Sequence, residues 1–148
     1  MQAKQLREEG AQTTFVLVFD TGDEAVSGLT EFARERGLDA AGFTAIGAFG
    51  AATLGYFDLD EKEYRKIPVR EQVEVLSLEG NIARKGDGEP QVHAHAVLGR
   101  SDGTTRGGHL LEGRVRPTLE VVLTETPAHL RREIDEETGL PLIEIRDT

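Results

Sequence analysis

The chain has 148 residues, no cysteine and a formal net charge of -10. The lack of cysteine excludes disulfide bonds and thiolate metal sites, which leaves imidazole and carboxylate groups as the available metal ligands. The acidic balance argues against a surface that attracts nucleic acid everywhere, because that attraction comes mainly from clustered lysine and arginine.

The length and the hydropathy pattern predict one domain over residues 1–148. The first residues, MQAKQLREEG, lack the apolar segment of a signal peptide. No apolar run approaches the roughly 20 residues of a membrane span. We therefore expect a cytoplasmic protein.

The first predicted elements are a strand and a long helix. TTFVLVFD, residues 13–20, is rich in β-branched and aromatic residues, which is typical of a buried strand. The following segment predicts a helix that is capped by Thr21 or Asp23, has acidic residues in its first turn and ends at Gly37. Its apolar residues form one stripe that would pack on a sheet: Val26, Leu29, Phe32 and Ala33.

The rest of the chain predicts mostly strands. Short apolar runs at 41–46 and 53–57 are separated by glycines typical of bulges, and a hairpin is expected at 58–62. Four further strands are predicted in QVEVLSLEGNIAR, VHAHAVLGR, TTRGGHLLEGRV and TLEVVLTET. A short late helix at 128–137 precedes a last strand at 142–145. This order predicts an α+β, α/β sandwich-like fold with a mainly antiparallel sheet.

Three of the four histidines surround one predicted turn. His93 and His95 are two residues apart in a strand and therefore point to the same face. A two-residue Asp102-Gly103 loop would turn His109 to the other face, unless a bulge at residues 107–108 restored the register. A three-residue loop at 101–103, with Gly103 in a left-handed conformation, would place His95 directly opposite His109.

Three imidazoles in that register could share one metal ion. Neutral imidazoles with an open fourth position suit zinc, and other divalent transition metals are possible substitutes. The alternative is that His93, His95 and His109 bind no metal. His129, at the start of the predicted late helix, is expected to be a solvent-facing bystander.

Two other features carry candidate chemistry. Arg100, Arg106, Arg114 and Arg116 form a modest basic region, which suggests either direct DNA binding or an ordinary solvated strand face. Glu120 and Arg106 are candidates for the general base and the oxyanion-stabilising group of a metal-dependent hydrolase, and both also have an ordinary interpretation as exposed strand residues.

Several of these segments resemble one known family. AAGFTAIGAFGAATLGYFD, EVLSLEGNIA and HAHAVLGRSDGTTRGGHLLEGRVRPTLEVV resemble the plant and prokaryote conserved (PPC) domain in its stand-alone prokaryotic form, over residues 14–145. The resemblance implies a subunit with an antiparallel sheet, assembled as a homotrimer. It also implies a metal, commonly zinc, on the residues found here as His93, His95 and His109.

The resemblance leaves the cellular role open. Prokaryotic members are often labelled PD1-like DNA-binding proteins, a label inherited from plant relatives that carry AT-hook segments; this sequence has no such RGRP segment. Our first hypothesis is a metal-binding homotrimer that serves as an interaction or transcription-associated module. The alternatives are a metal-dependent hydrolase of a small molecule and a direct DNA-binding protein that uses residues 100–116.

Overall fold

The structure is a computed structural model that describes residues 1–9, 12–126 and 130–145. These residues form nine strands and one helix: β1 Gln2–Glu9, β2 Gln12–Asp20, α1 Ala25–Arg36, β3 Ala40–Asp58, β4 Glu63–Val69, β5 Val73–Lys85, β6 Pro90–Gly99, β7 Thr105–Glu125, β8 Arg131–Ile134 and β9 Pro141–Glu144.

The fold is mainly β, and the predicted α+β class is wrong. The predicted long helix has only 12 residues, and it follows the second strand, because residues 2–9 form a strand that pairs with β2. Among the described residues, no helix is long and apolar enough to span a membrane.

The predicted late helix is also wrong where the structure describes it. Arg131–Ile134 is strand β8, which pairs in parallel with β5 and antiparallel with β9. Backbone hydrogen bonds to two neighbouring strands outweigh the weak local preference of this polar segment for a helix. The start of the predicted helix, with His129, lies outside the described residues.

Two long strands organise the sheet. β3 contains both apolar runs at 41–46 and 53–57, and β7 joins the segments TTRGGHLLEGRV and TLEVVLTET, so each is one long strand where the sequence predicts two. β7 lies between β2 and β3, and pairing also joins β3 to β5, β5 to β6 and β6 to β7. The four strands β3, β5, β6 and β7 therefore form a closed circuit of antiparallel pairs.

Glycine allows β3 to follow this path. Gly47 has φ 153°, at a register shift between β3 and β5. A Cβ atom there would collide with the carbonyl oxygen of Thr118 on β7 and would lie 2.8 Å from the Cα atom of Leu119. The sequence prediction of a bulge or close backbone approach at Gly47 is confirmed.

Helix α1 covers the sheet as the apolar stripe predicted. Leu29, Phe32 and Ala33 are buried, and the ring of Phe32 packs edge-on against Phe15 of β2 at 5.3 Å. The helix ends at Gly37, which has φ 65°. Its interior face therefore joins the same core as the strands.

The N-terminal cap differs from the prediction. The helix is capped by Glu24 and not by Thr21 or Asp23, and its first turn holds no acidic residue. The Glu24 carboxylate accepts hydrogen bonds from the backbone N–H groups of Val26 at 3.1 Å and Ser27 at 2.7 Å, and from that of Gly113 on β7 at 3.0 Å. One carboxylate thus ties the helix to the long strand.

We expect Glu24→Ala to lower the free energy of unfolding by about 2 kcal/mol, because it removes the cap and leaves the Gly113 N–H without its acceptor. Burial opposes ionisation of Glu24, but the three backbone donors outweigh it and hold the pKa of this carboxyl below 4.5. A depressed folded-state pKa contributes stability above the unfolded value, and this contribution is lost as the pH falls through the folded value.

Urea unfolding of wild type and Glu24→Ala at about pH 7 and pH 3 measures this effect. The difference between the two proteins should shrink at the lower pH. Glu31→Ala, an exposed substitution on the same helix, is the matched control and should cost little. Equal stability of Glu24→Ala and Glu31→Ala at pH 7 would contradict the capping role.

Candidate metal centre

The connection between β6 and β7 sets the register of the histidines. It is a three-residue loop at 101–103: Arg100 N–H donates to the Thr104 carbonyl at 2.8 Å, and Gly103 has φ 81°. The Asp102 carboxylate accepts from the backbone N–H and hydroxyl of Thr104. His95 consequently pairs with His109, which confirms the predicted three-residue register.

The three imidazoles converge above the sheet. The Nε2 atoms of His93 and His95 are 3.2 Å apart, and the ring of His109 lies 5.1 Å from that of His93 and 5.6 Å from that of His95. One ligand atom from each histidine can be chosen so that all three lie within 4.8 Å of one another. In the described chain, this is the one group of three or more potential ligands that could hold a metal ion.

This donor set fits zinc. Two nitrogens at about 2.0–2.1 Å from one tetrahedral zinc ion lie about 3.4 Å apart, close to the separation of His93 and His95. The buried Nδ1 atom of His109 has no hydrogen-bond partner within the described chain. A nitrogen-rich site with an unsatisfied imidazole nitrogen is suited to a borderline cation such as zinc.

The strand alternation explains why the rings face outward together. Ala94, Ala96 and Leu98 point into the core and are buried, so His93 and His95 lie on the other face of β6. That face is continued by Asn81 opposite His93 and by Glu79 opposite His95, both on β5.

The environment keeps His109 neutral. Burial, reinforced by the charges of His93, His95 and Arg132, lowers the pKa of His109 to about 4. Burial also lowers the pKa of His93, together with the charges of Arg132 and His95. Neutral imidazole is the form that binds metal ions, so these groups need not lose a proton at pH 7 before they do so.

A groove of about 690 Å³ opens beside His93 and His95. Strands β3, β5, β6 and β7 line it, with Thr44, Glu79 and Val122 among the wall residues. Exposed apolar side chains continue the surface along these four strands: Ile46, Leu76, Val97 and Val122.

The predicted catalytic candidates do not join the histidines. Arg106 pairs with the buried Leu98, so the alternation places its side chain on the face opposite His109. Glu120 lines a neighbouring groove that contains no histidine. The structure therefore brings neither residue into the imidazole cluster.

The basic region is partly neutralised. Arg100 forms an ion pair with Glu71 at 2.7 Å, and Arg114 forms one with Glu112 at 3.3 Å. Arg106 and Arg116 are exposed. Direct DNA binding through residues 100–116 stays a prediction, and these carboxylates weaken it.

Sequence reasoning missed the residues that surround the cluster. Tyr64 stacks on His109 with ring centres 4.8 Å apart, and Arg132 is buried near it. Nothing in the sequence near Tyr64 or Arg132 indicates that it lies beside the histidines, because strand pairing within the sheet brings β4 and β8 to that place. The positions of Glu79 and Asn81 could have been inferred from the alternation in QVEVLSLEGNIA once its partner strand was known.

Comparison with known proteins adds the family. The model of the Plants and Prokaryotes Conserved domain, abbreviated PCC or PPC, matches residues 6–127. The chain belongs to this family. The resemblance inferred from the HAHAVLG and GGHLLEG segments is thereby confirmed.

Two solved structures share this fold over most of their length. A PPC protein from Pyrococcus horikoshii is 33% identical, with a TM-score of 0.84 over 99% of this chain and 97% of that one. A metal-containing protein from Archaeoglobus fulgidus is 40% identical, with a TM-score of 0.82 over 89% of this chain and 93% of that one.

A curated relative contains the domain in a longer chain. The bifunctional protein GlmU of Synechococcus sp. (strain JA-3-3Ab) is 32% identical over 134 residues. The match covers 88% of this chain and 20% of that protein, so the PPC chain spans about a fifth of this relative's length.

Proposed function

We propose that this PPC protein is a zinc-binding module that works as a homotrimer. The observation that carries the proposal is the convergence of His93, His95 and His109, with the first two Nε2 atoms 3.2 Å apart. The relative from Archaeoglobus fulgidus is described as metal-containing, which supports a bound metal in this chain as well. Zinc on three neutral imidazoles supplies a Lewis acid with a position for an outside ligand.

The outer face of the sheet supports self-association. Ile46 is 61% exposed, Leu76 53%, Val122 48% and Val97 41%, and these residues lie on the strands that carry the groove beside His95. Grouped apolar side chains on an otherwise charged surface mark contact regions. Copies of the chain that met across this face would cover these side chains and enclose the histidines.

Metal analysis of untagged protein, joined to a mass measurement in solution, tests both parts. We expect one zinc ion per chain after loading and a mass three times the 16.2 kDa of the chain. If the protein retains no metal ion after incubation with zinc, the metal site is refuted. A monomeric mass at micromolar concentration would refute the homotrimer.

A further inference from the structure

A second, smaller cavity lies beside the histidines, separate from the open groove. It has a volume of about 140 Å³. His93, His109 and Tyr64 belong to its wall, as do Arg132 and the apolar Leu140 and Leu142 near the C-terminal end of the chain. The cavity therefore shares two of the three imidazoles with the proposed zinc site.

The unsatisfied polar atoms of the protein collect around this cavity. Over the described chain, three buried side-chain atoms lack a hydrogen-bond partner: Gln91 Oε1, His109 Nδ1 and Arg132 Nε. All three residues line the cavity. Native proteins pair the large majority of such atoms, so the orphaned Arg132 Nε, which is a donor, indicates a bound acceptor. His109 Nδ1 is available to the proposed metal ion, and Gln91 Oε1, an acceptor, needs a donor such as water.

Arg132 is the most informative of the three. Its side chain is buried, with a residue exposure of 4%. Nη1 donates to the carbonyl of Pro141 at 2.9 Å and Nη2 donates to the side-chain oxygen of Asn81, which leaves Nε without an acceptor. In the part of the chain that the structure describes, no carboxylate forms an ion pair with Arg132. Buried cations are rarely left without an anionic partner.

The cavity's chemistry identifies the class of that partner. Among the described residues, no acidic side chain lines the cavity, and a zinc ion on neutral imidazoles would add positive charge beside the guanidinium. The volume exceeds the roughly 10–15 Å³ needed by one water molecule and falls below the roughly 300 Å³ of drug-sized pockets. Val92, Leu140 and Leu142 provide an apolar wall. An anion with a short hydrocarbon part matches these properties.

We infer that this cavity binds the carboxylate of a small organic acid, with Arg132 and the metal as its cationic partners. The inference rests on the proposed zinc site. Asn81 and Pro141 already accept from Nη2 and Nη1, so an anion in the cavity reaches the guanidinium through Nε. A carboxylate with a short hydrocarbon part suits the cavity better than inorganic phosphate, because the wall is largely apolar and phosphate has no apolar part to place against it.

Two successive calorimetric titrations test the inference. Zinc is titrated into metal-free protein, and acetate, propionate, butyrate or inorganic phosphate is then titrated into the loaded protein. We expect the carboxylates to bind and phosphate to bind more weakly. Arg132→Met should weaken carboxylate binding by roughly tenfold or more with little change in zinc affinity.

Matched variants separate the cavity from general effects. Arg131→Met removes a neighbouring exposed arginine of β8 and should leave carboxylate binding unchanged. Gln91→Glu keeps the side-chain size but places a negative charge at the cavity, so it should weaken carboxylate binding even where Arg132→Met fails to fold. Arg132→Lys should retain part of the affinity because it keeps the charge.

The outcomes distinguish the two proposals. Protein that takes up no zinc overturns both. Protein that takes up zinc but gives no carboxylate binding at millimolar concentrations overturns this inference alone, as does tighter binding of phosphate. Equal carboxylate affinity in wild type, Arg132→Met and Gln91→Glu also overturns it, as would a crystal structure with saturating acid that shows only water molecules in the cavity.

Discussion

Replacement of His109 by alanine is expected to lower zinc affinity by at least about a hundredfold. Even residues that only orient metal ligands contribute about 10–100-fold to metal affinity, and loss of one of three ligands should exceed that. Of the three histidines, His109 alone lies on β7, so its replacement leaves only the pair on β6. Competition for zinc with a chelating dye, followed by optical absorption, measures the change.

The control for this experiment is Thr44→Ala. Thr44 lines the groove beside His93 and His95 but offers no nitrogen ligand. The Thr44→Ala protein should bind zinc as wild type does, and circular dichroism should show that both variants keep the fold. Wild-type zinc affinity in the folded His109→Ala protein would exclude His109 as a ligand.

Replacement of Gly47 by alanine is expected to lower the free energy of unfolding by about 3 kcal/mol or more. A φ of 153° is strained for a residue with a side chain, and the new Cβ would collide with the Thr118 carbonyl oxygen and meet the Leu119 Cα at 2.8 Å. Both neighbours are backbone atoms of β7, which cannot move aside as a side-chain tip could. Urea unfolding at neutral pH measures the loss.

Gly42→Ala is the matched substitution on the same strand. A Cβ at Gly42 would have no heavy atom within 4 Å, and its φ lies outside the positive range. We expect its stability to stay within about 1 kcal/mol of wild type. If Gly42→Ala and Gly47→Ala unfold at the same urea concentration, the close approach of β3 and β7 at Gly47 has no energetic importance.

The parts of this fold that follow local rules could be predicted from the sequence. The helix core around Leu29 and Phe32 follows from its 3.6-residue period and its stop at Gly37. The turn at Gly103 follows from the preference of glycine for positive φ, and strand alternation then places His95 opposite His109.

The wrong predictions lie where pairing with distant strands decides the structure. Arg131–Ile134 has no strong strand preference of its own, and it forms β8 because β5 and β9 supply hydrogen-bonding partners. Gln2–Glu9 likewise has no clear strand pattern of its own. It forms β1 because the edge of β2 offers hydrogen-bonding partners.

The candidate site shows the same division. The three imidazoles come from one hairpin, which is local, and the sequence was sufficient to group them. Arg132 arrives through the parallel pairing of Arg131 with Arg84, and Tyr64 through the pairing of β4 with β3. No periodicity or spacing near His109 encodes these neighbours, because they lie 23 and 45 residues away along the chain.

The place of β7 between β2 and β3 has a consequence for synthesis on the ribosome. Thr13 of β2 pairs with Glu125 of β7, so a nascent chain must expose the edges of its earlier strands until the seventh has emerged. At about 5–20 residues per second, that delay is on the order of ten seconds. Unpaired strand edges are prone to pair with other chains during such an interval, so the risk of aggregation ends only when β7 has been made.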